Sequence, residues 1–160
     1  TLYILSANAE NHLTLAGTAL EQNLQTYLSQ YRIIGDSINI KDAFYINLNV
    51  DFEITVRPNF NSNEVLTACL QELRTYFNIN NWQINEPIQI KEIFLLLDKV
   101  QGVQTVKNIN FTNNVGGSYS KYAYDLEGAT INDVIYPSID PMIFEVRYPN
   151  TDIKGKVVNL

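Results

Sequence analysis

Cysteine and histidine are almost absent from this chain of 160 residues, which contains one of each. A single thiol, Cys69, cannot form an internal disulfide or a thiolate metal cluster, and it is compatible with a reducing compartment. Cys69 lies on an apolar stripe, so we expect a small buried side chain rather than a nucleophile. The only histidine, His12, follows Glu10 in a polar segment, which favours a solvated loop over a general base.

Charge is also sparse, since Asp, Glu, Lys and Arg make up 18% of the residues. The net charge is −6, and the 11 basic residues are scattered, whereas a nucleic-acid binder needs them clustered. No apolar run approaches the roughly 18 residues that span a bilayer, and no leader segment is visible. We therefore expect a soluble chain with neither nucleic acid nor membrane as a partner. The sparse charge indicates surface that other proteins cover.

A long alternating segment is the most informative feature that the chain does contain. From Phe44 to Arg57 every second residue is apolar, and most residues between them are polar. Side chains of an extended chain point alternately to opposite faces. The segment therefore predicts one very long, one-sided β-strand over about residues 44–57, ended by Pro58.

Helical spacing appears in three other segments. Thr18 and Glu21 form a capping box, and apolar residues three and four apart predict a first helix to about Gln30 (Leu20, Leu24, Tyr27, Leu28 and Tyr31). A turn is predicted at Gly35 and Asp36. A second helix is expected from an N-cap at Ser62, with Val65, Leu66, Cys69, Leu70, Leu73, Tyr76 and Phe77 on its apolar face. A third precedes Gly102, which is placed to end it in the left-handed conformation.

The order of these elements predicts an α+β fold. Two helices separate the long strand from a β-branched strand that starts at Val103, so these strands should pair antiparallel. We expect a mostly antiparallel sheet with two or three helices on one face, in a single domain over 1–160 with a possible arm at 1–17. Because the chain begins at Thr1 rather than methionine, we expect a fragment of something longer.

No constellation of residues predicts catalysis. Asp51 and Glu53 would share one strand face, where carboxylates are usually solvated or paired with Lys or Arg. Gly116 and Gly117 are not followed by the lysine and helix of a phosphate-binding loop, so they predict a turn. We predict no catalytic, cofactor or metal site, and no enzyme.

Tyrosines and prolines crowd the last third of the chain. Pro137, Pro141 and Pro149 predict an extended, stiff tail that pairs poorly with its own chain and lies against a neighbour. A strand pattern at 142–148 could instead join the same sheet or pair with another chain. Tyrosine suits interfaces, although these rings could also cover a thin core. The residues proposed for an interface are Tyr119, Tyr122, Tyr124, Tyr136, Met142, Phe144 and Tyr148.

The tail also carries a family resemblance. Residues 136–157, YPSIDPMIFEVRYPNTDIKGKV, resemble the C-terminal end of the baseplate wedge protein of T-even-type contractile-tailed bacteriophages. The helix end YLSQYR at 27–32, the long strand, NEV at 63–65 and VQGV at 100–103 are similar to the wider baseplate J-like family. The similarity extends over nearly the whole chain, and the tail is its specific part.

The resemblance implies a non-enzymatic structural subunit of the virion tail baseplate, assembled in the host cytoplasm. It implies that this chain is the C-terminal part of the full subunit. It implies contacts with a second copy, as a homodimer, and with other wedge subunits, and it implies no cofactor. Two other functions stay open on the sequence. One is a carbohydrate or host-surface binding module, for which Trp82 is the only tryptophan available. The other is a hydrolase that uses converging carboxylates.

Overall fold

The computed structural model describes residues 1–31, 35 and 37–159. In chain order its elements are β1 (Leu2–Ile4), β2 (Ser6–Ala7), β3 (Leu13–Thr14), α1 (Thr18–Ser29), β4 (Ile40–Asp42), β5 (Phe44–Val56), α2 (Ser62–Tyr76), β6 (Ile88–Gln89), α3 (Ile90–Asp98), β7 (Val103–Asn114), β8 (Thr130–Ile131), β9 (Val134–Ile135), β10 (Met142–Glu145), α4 (Pro149–Asp152) and β11 (Ile153–Val157). The predicted α+β class is confirmed. The predicted turn falls partly on Asp36, which lies outside the described residues.

The central sheet is built around β5. On one side β5 pairs with β7, and this pair is antiparallel as predicted. On the other side β10 pairs in parallel with the first part of β5, and β11 pairs in parallel with its second part. The sheet is therefore mixed, with parallel pairs added to the antiparallel one that the sequence indicated.

The strand β5 ends at Val56, so Arg57 lies beyond it. Its apolar residues are mostly buried, and Phe52 and Ile54 are among the largest buried side chains of the core. Asn47 and Thr55 are buried as well, although the alternation assigned them to the outer face. The strand is thus covered on both faces at these two positions.

The proline-punctuated tail pairs with its own chain, so the prediction that it pairs poorly and lies against a neighbour is wrong. It contributes β10 and β11 to the central sheet and the short helix α4 between them. The prolines permit this because Pro141 precedes β10 and donates nothing, while its carbonyl accepts from the N–H of Phe44 at 2.9 Å. Pro149 is the first residue of α4. A backbone N–H at that position has no partner within the helix, so its absence from proline costs no hydrogen bond.

Helices α2 and α3 pack beside each other against the sheet. α2 contacts β11 and buries Val65, Cys69 and Leu73, and α3 contacts β7. The N-cap of α2 is Asn61 rather than the predicted Ser62, and its side chain accepts from the N–H groups of residues 63 and 64. Gly102 adopts the predicted left-handed conformation, with a φ of +96°. It does not end α3 as predicted, because α3 ends at Asp98 and Lys99 is its C-cap.

Helix α1 forms where the sequence predicted it but does not pack like α2 and α3. Gly17 is its N-cap, and no side chain caps it, so the predicted capping box between Thr18 and Glu21 is wrong. Thr18 is already inside the helix and cannot act as the cap. None of the residues of α1 is buried. The preceding arm is ordered by pairing of β1 with β4 and of β2 with β3, and it places Leu13 in the core.

Candidate functional site: a buried polar cluster and its surroundings

A buried ion pair lies at the end of β10. Glu145 is 2% exposed, and its Oε1 lies 3.2 Å from Nε of Arg147, which is also buried. Isolated charges in a protein interior are costly because water no longer solvates them. The two residues must therefore find their remaining hydrogen-bond partners within the protein.

The partners of Glu145 come from two distant segments. In the parallel register Glu145 lies beside Asn47 of β5, so both side chains are on the same face of the sheet. Asn47 Nδ2 donates to Glu145 Oε1 at 2.6 Å, and the backbone N–H of Leu13 donates to Oε2 at 2.8 Å. Both carboxylate oxygens thus accept hydrogen bonds.

Arg147 and Asn47 extend the same cluster to a third segment. Arg147 donates to the carbonyl oxygens of Leu13 and Ser118, and its guanidinium lies 5.4 Å from the centre of the Tyr45 ring. Asn47 Oδ1 accepts from the N–H of Ser120 at 2.7 Å. The cluster therefore ties together the N-terminal arm, β5, the loop after β7 and the tail.

A second set of hydrogen bonds holds the tail next to this cluster. Tyr119 Oη donates to Asp152 Oδ1 at 2.8 Å, and Oδ2 accepts from the N–H of Tyr148 at 3.2 Å. Desolvation by burial, with the bond to Asp152, raises the pKa of Tyr119 to about 12. Tyr119 is therefore a neutral hydrogen-bond donor at ordinary pH.

A cavity of about 240 Å³ opens beside the ion pair. Its lining includes His12, Arg74, Glu145 and Arg147. His12 is half-buried against the Tyr148 ring at 5.0 Å, with Nδ1 3.5 Å from a Glu10 carboxylate oxygen, so the expected fully solvated loop is wrong. The Tyr148 ring of the tail therefore covers one side of the imidazole.

The bonding of this cluster suits support rather than chemistry. Glu145 is engaged at both oxygens, and Arg147 binds two carbonyls, so neither offers a free group to a substrate. Within residues 1–31, 35 and 37–159, no three His, Cys, Asp or Glu side chains lie close enough to hold a metal ion. The arrangement orients chain segments.

Two of the residues predicted for an interface lie in the core, and two others contact their own chain. Met142 and Phe144 lie in the core, where a partner cannot reach them. Tyr122 packs edge-on against Phe44 at 4.8 Å, and the Tyr124 hydroxyl donates to the carbonyl of Tyr136 at 2.6 Å.

The tyrosines of this set do not form one open patch. Tyr119, Tyr122, Tyr124 and Tyr148 are all half-buried, and only Tyr136 is exposed, at 47%. The structure brings Tyr119 and Tyr148 together, with ring centres 5.6 Å apart. Most of these rings therefore cover the core.

The residues behind the two alternative functions are also placed. Trp82 is buried, stacks on Phe77 at 5.6 Å and donates from Nε1 to the carbonyl of Tyr76, so it offers no open sugar platform. Asp51 and Glu53 lie in register with Lys154 and Lys156 of β11 on an open sheet face. Acidic and basic side chains therefore lie beside each other on this face, and the two carboxylates do not converge in a cleft.

Sequence reasoning missed two features. Burial of Glu145 and Arg147 was not foreseen, since an alternating charged pair on a strand normally faces water. The apolar stripe of α1 predicts a helix that packs on the sheet, and the structure differs. In the structure Leu20, Tyr27 and Tyr31 are 45%, 57% and 71% exposed.

The chain was compared with protein families and with curated proteins. No protein family matches this chain, and no curated protein matches it either. Among the described residues, no helix is long and apolar enough to cross a bilayer.

Proposed function

We propose that this chain is a structural subunit of a contractile phage tail baseplate. In this proposal it is the C-terminal part of a wedge protein, acts without catalysis, assembles in the host cytoplasm and ends in the virion. The resemblance of residues 136–157 supports the family. The placement of the ionisable groups supports a scaffold, because the buried ones are bonded to the chain itself.

The observation that carries assembly is the exposed face of α1. Leu20, Leu24 and Tyr27 of α1, and Tyr31 just after its end, are spaced by four, three and four residues, which is the spacing of a coiled-coil seam. None of these side chains packs against the core of the described structure. A helix of 12 residues is marginal in water by itself, so its apolar face needs a cover.

A second copy of the chain fits this face. The seam carries no charged residue, and Glu21 is the only charged residue of α1. An antiparallel pair of α1 helices would place the two Glu21 carboxylates at opposite ends, where they do not repel each other. Such a two-fold contact uses the same residues on both copies and closes on itself.

The place in the virion is tested on purified tails. Tails from the phage that encodes this chain should contain it at a fixed ratio to the other baseplate proteins, measured by quantitative mass spectrometry after tails are separated from free subunits. Mild dissociation should release it with wedge subunits rather than with tube or sheath. Its absence from tails, with abundant chain in infected cells, would contradict the proposal.

A further inference from the structure

The outer edge of β7 is a second surface with unmet hydrogen-bonding capacity. In the described part of the chain β7 pairs with β5 alone, so its other edge has no neighbouring strand. Edge strands are usually protected by prolines, several charges or bulges. β7 has no proline, and its one charged residue is Lys107.

The direction of the free peptide groups follows from the bonds of β5. The carbonyl of Ile54 accepts from the N–H of Val158, and the N–H of Phe44 donates to the carbonyl of Pro141. Even-numbered residues of β5 therefore direct their peptide groups towards the tail strands. Odd-numbered residues direct theirs towards β7, because N–H and C=O of one strand residue point to the same side.

The register then identifies the free residues of β7. Asn110 and Thr112 lie opposite odd-numbered residues of β5, so their peptide groups bond inwards. Ile109 and Phe111 consequently point their N–H and C=O outwards, and no other backbone group in the described residues bonds to them. The register shifts of the β5–β7 pair lie nearer the start of β7, so this part is regular.

A groove of about 710 Å³ runs beside these peptide groups. Its apolar lining consists of Ile90, Ile109, Phe111, Leu126 and Ile135. The groove is bounded at one end of β7, where the Asn113 side chain exchanges two hydrogen bonds with the Tyr124 backbone, at 2.7 and 3.0 Å. The Tyr124 segment therefore closes the groove at this end.

The charge of the groove limits what can occupy it. Among the described residues that line the groove, Glu127 alone is ionisable. It follows Tyr124 by three residues in the sequence, and the Tyr124 backbone bonds to Asn113 near the C-terminal end of β7. An antiparallel strand would bring its N-terminal residues to that end. A lysine there complements Glu127, and apolar residues at alternate positions complement Ile109 and Phe111.

We propose that β7 accepts one extended strand of a partner protein by antiparallel β-strand addition. The strand has neutral, alternating apolar residues and a basic residue near its N-terminal end. Its residues opposite Ile109 and Phe111 share their face of the sheet and exchange hydrogen bonds with them. This contact is separate from the α1 face, so either can fail without the other.

The test uses three synthetic peptides with acetylated and amidated ends. The first has lysine followed by alternating valine and threonine, the second is N-methylated at its valines, and the third at its threonines. In the antiparallel arrangement the valine N–H groups face β7, so the second peptide should bind at least about tenfold more weakly than the first. The third should bind like the first.

Amide exchange of the full chain gives an independent readout. The first peptide should slow exchange at Ile109 and Phe111, and leave Asn110 and Thr112 unchanged because they already bond to β5. Equal binding of the first two peptides, or no protection at Ile109 and Phe111, would overturn the proposal. Protection that rises with protein concentration without peptide would also overturn it, because a second copy would then occupy the edge.

Discussion

Asn47 Nδ2 donates to Glu145 Oε1 over 2.6 Å, and this bond joins β5 to the tail inside the protein. The two residues are far apart in sequence and adjacent in the parallel register of β5 and β10. Glu145 is also bonded to Arg147 and to the arm at Leu13. The cluster is therefore a structural joint between both ends of the described chain.

Removal of one member of this joint should be costly. Arg147→Ala leaves the Glu145 carboxylate buried without its cation, so we expect the free energy of unfolding to fall by about 3–5 kcal/mol. Urea denaturation followed by circular dichroism measures this loss. Glu127→Ala is the matched control, since Glu127 is exposed and should change stability by less than about 0.5 kcal/mol. A small effect of Arg147→Ala would show that water reaches the site.

A substitution at Phe144 tests whether this residue stabilises the core of the monomer or contacts a partner. Phe144 is 2% exposed, so Phe144→Ala should destabilise the monomer by about 3–5 kcal/mol. Tyr136→Ala removes an exposed ring from the same predicted interface set and should change stability by less than about 0.5 kcal/mol. Thermal unfolding of both variants at one concentration distinguishes them. Similar unfolding temperatures would mean that Phe144 is not a core residue.

Two glycines with positive φ distinguish the cost of backbone strain from the cost of crowding by an added Cβ. A Cβ at Gly102 would lie 2.6 Å from a Val65 methyl carbon, whereas a Cβ at Gly116 would meet nothing within 4 Å. Gly116→Ala should therefore cost about 1–2 kcal/mol from the left-handed backbone alone. Gly102→Ala should cost a further 1–3 kcal/mol or so from overpacking. Equal losses of unfolding free energy would contradict the tight approach of Gly102 to α2.

Alkaline pH should weaken the fold through Cys69. Burial, with the nearby Glu72 carboxylate as a smaller cause, raises the pKa of this thiol from 9.0 to about 11. A raised pKa in the folded state means that the native protein holds the proton more tightly than the unfolded chain. Stability from this group is therefore complete below pH 9 and lost as pH rises towards 11.

Denaturant titrations between pH 8 and 11 measure this dependence, with Cys69→Ala as the reference. The variant is expected to be less stable at pH 8 but to lose less stability on going to high pH. A thiol reagent at pH 8 should modify Cys69 only after unfolding. Rapid modification of the folded chain would show that the thiol is accessible.

Local sequence patterns predicted most of the elements but not all of their partners. Helices α1, α2 and α3, the turn at Gly116 and the antiparallel pairing of β5 with β7 follow from periodicity, turn chemistry and element order. The tail strands could not be placed, because proline excludes only one backbone donor and does not determine which strand a segment joins. Parallel pairing over such sequence separations has no local signal.

The buried joint was unpredictable for a related reason. An alternating Glu145 and Arg147 indicates a solvated strand face unless other segments cover it, and the covering residues, Leu13 and Ser118, lie far away in sequence. Conversely, the apolar stripe of α1 predicts a helix and identifies its apolar face. It does not indicate whether the sheet or another molecule covers that face. Both cases depend on tertiary placement.

The mass of the chain in solution, measured by light scattering over a range of concentrations, tests the central claim of assembly through α1 most directly. We expect a dimer that persists at low micromolar concentration. The double variant Leu20→Glu with Tyr27→Glu should be a folded monomer, because both positions are exposed in the single chain. Gln22→Glu with Thr26→Glu adds the same charge to the opposite face of α1 and should remain a dimer. A monomeric native chain, or equal dimerisation of both variants, would contradict the account.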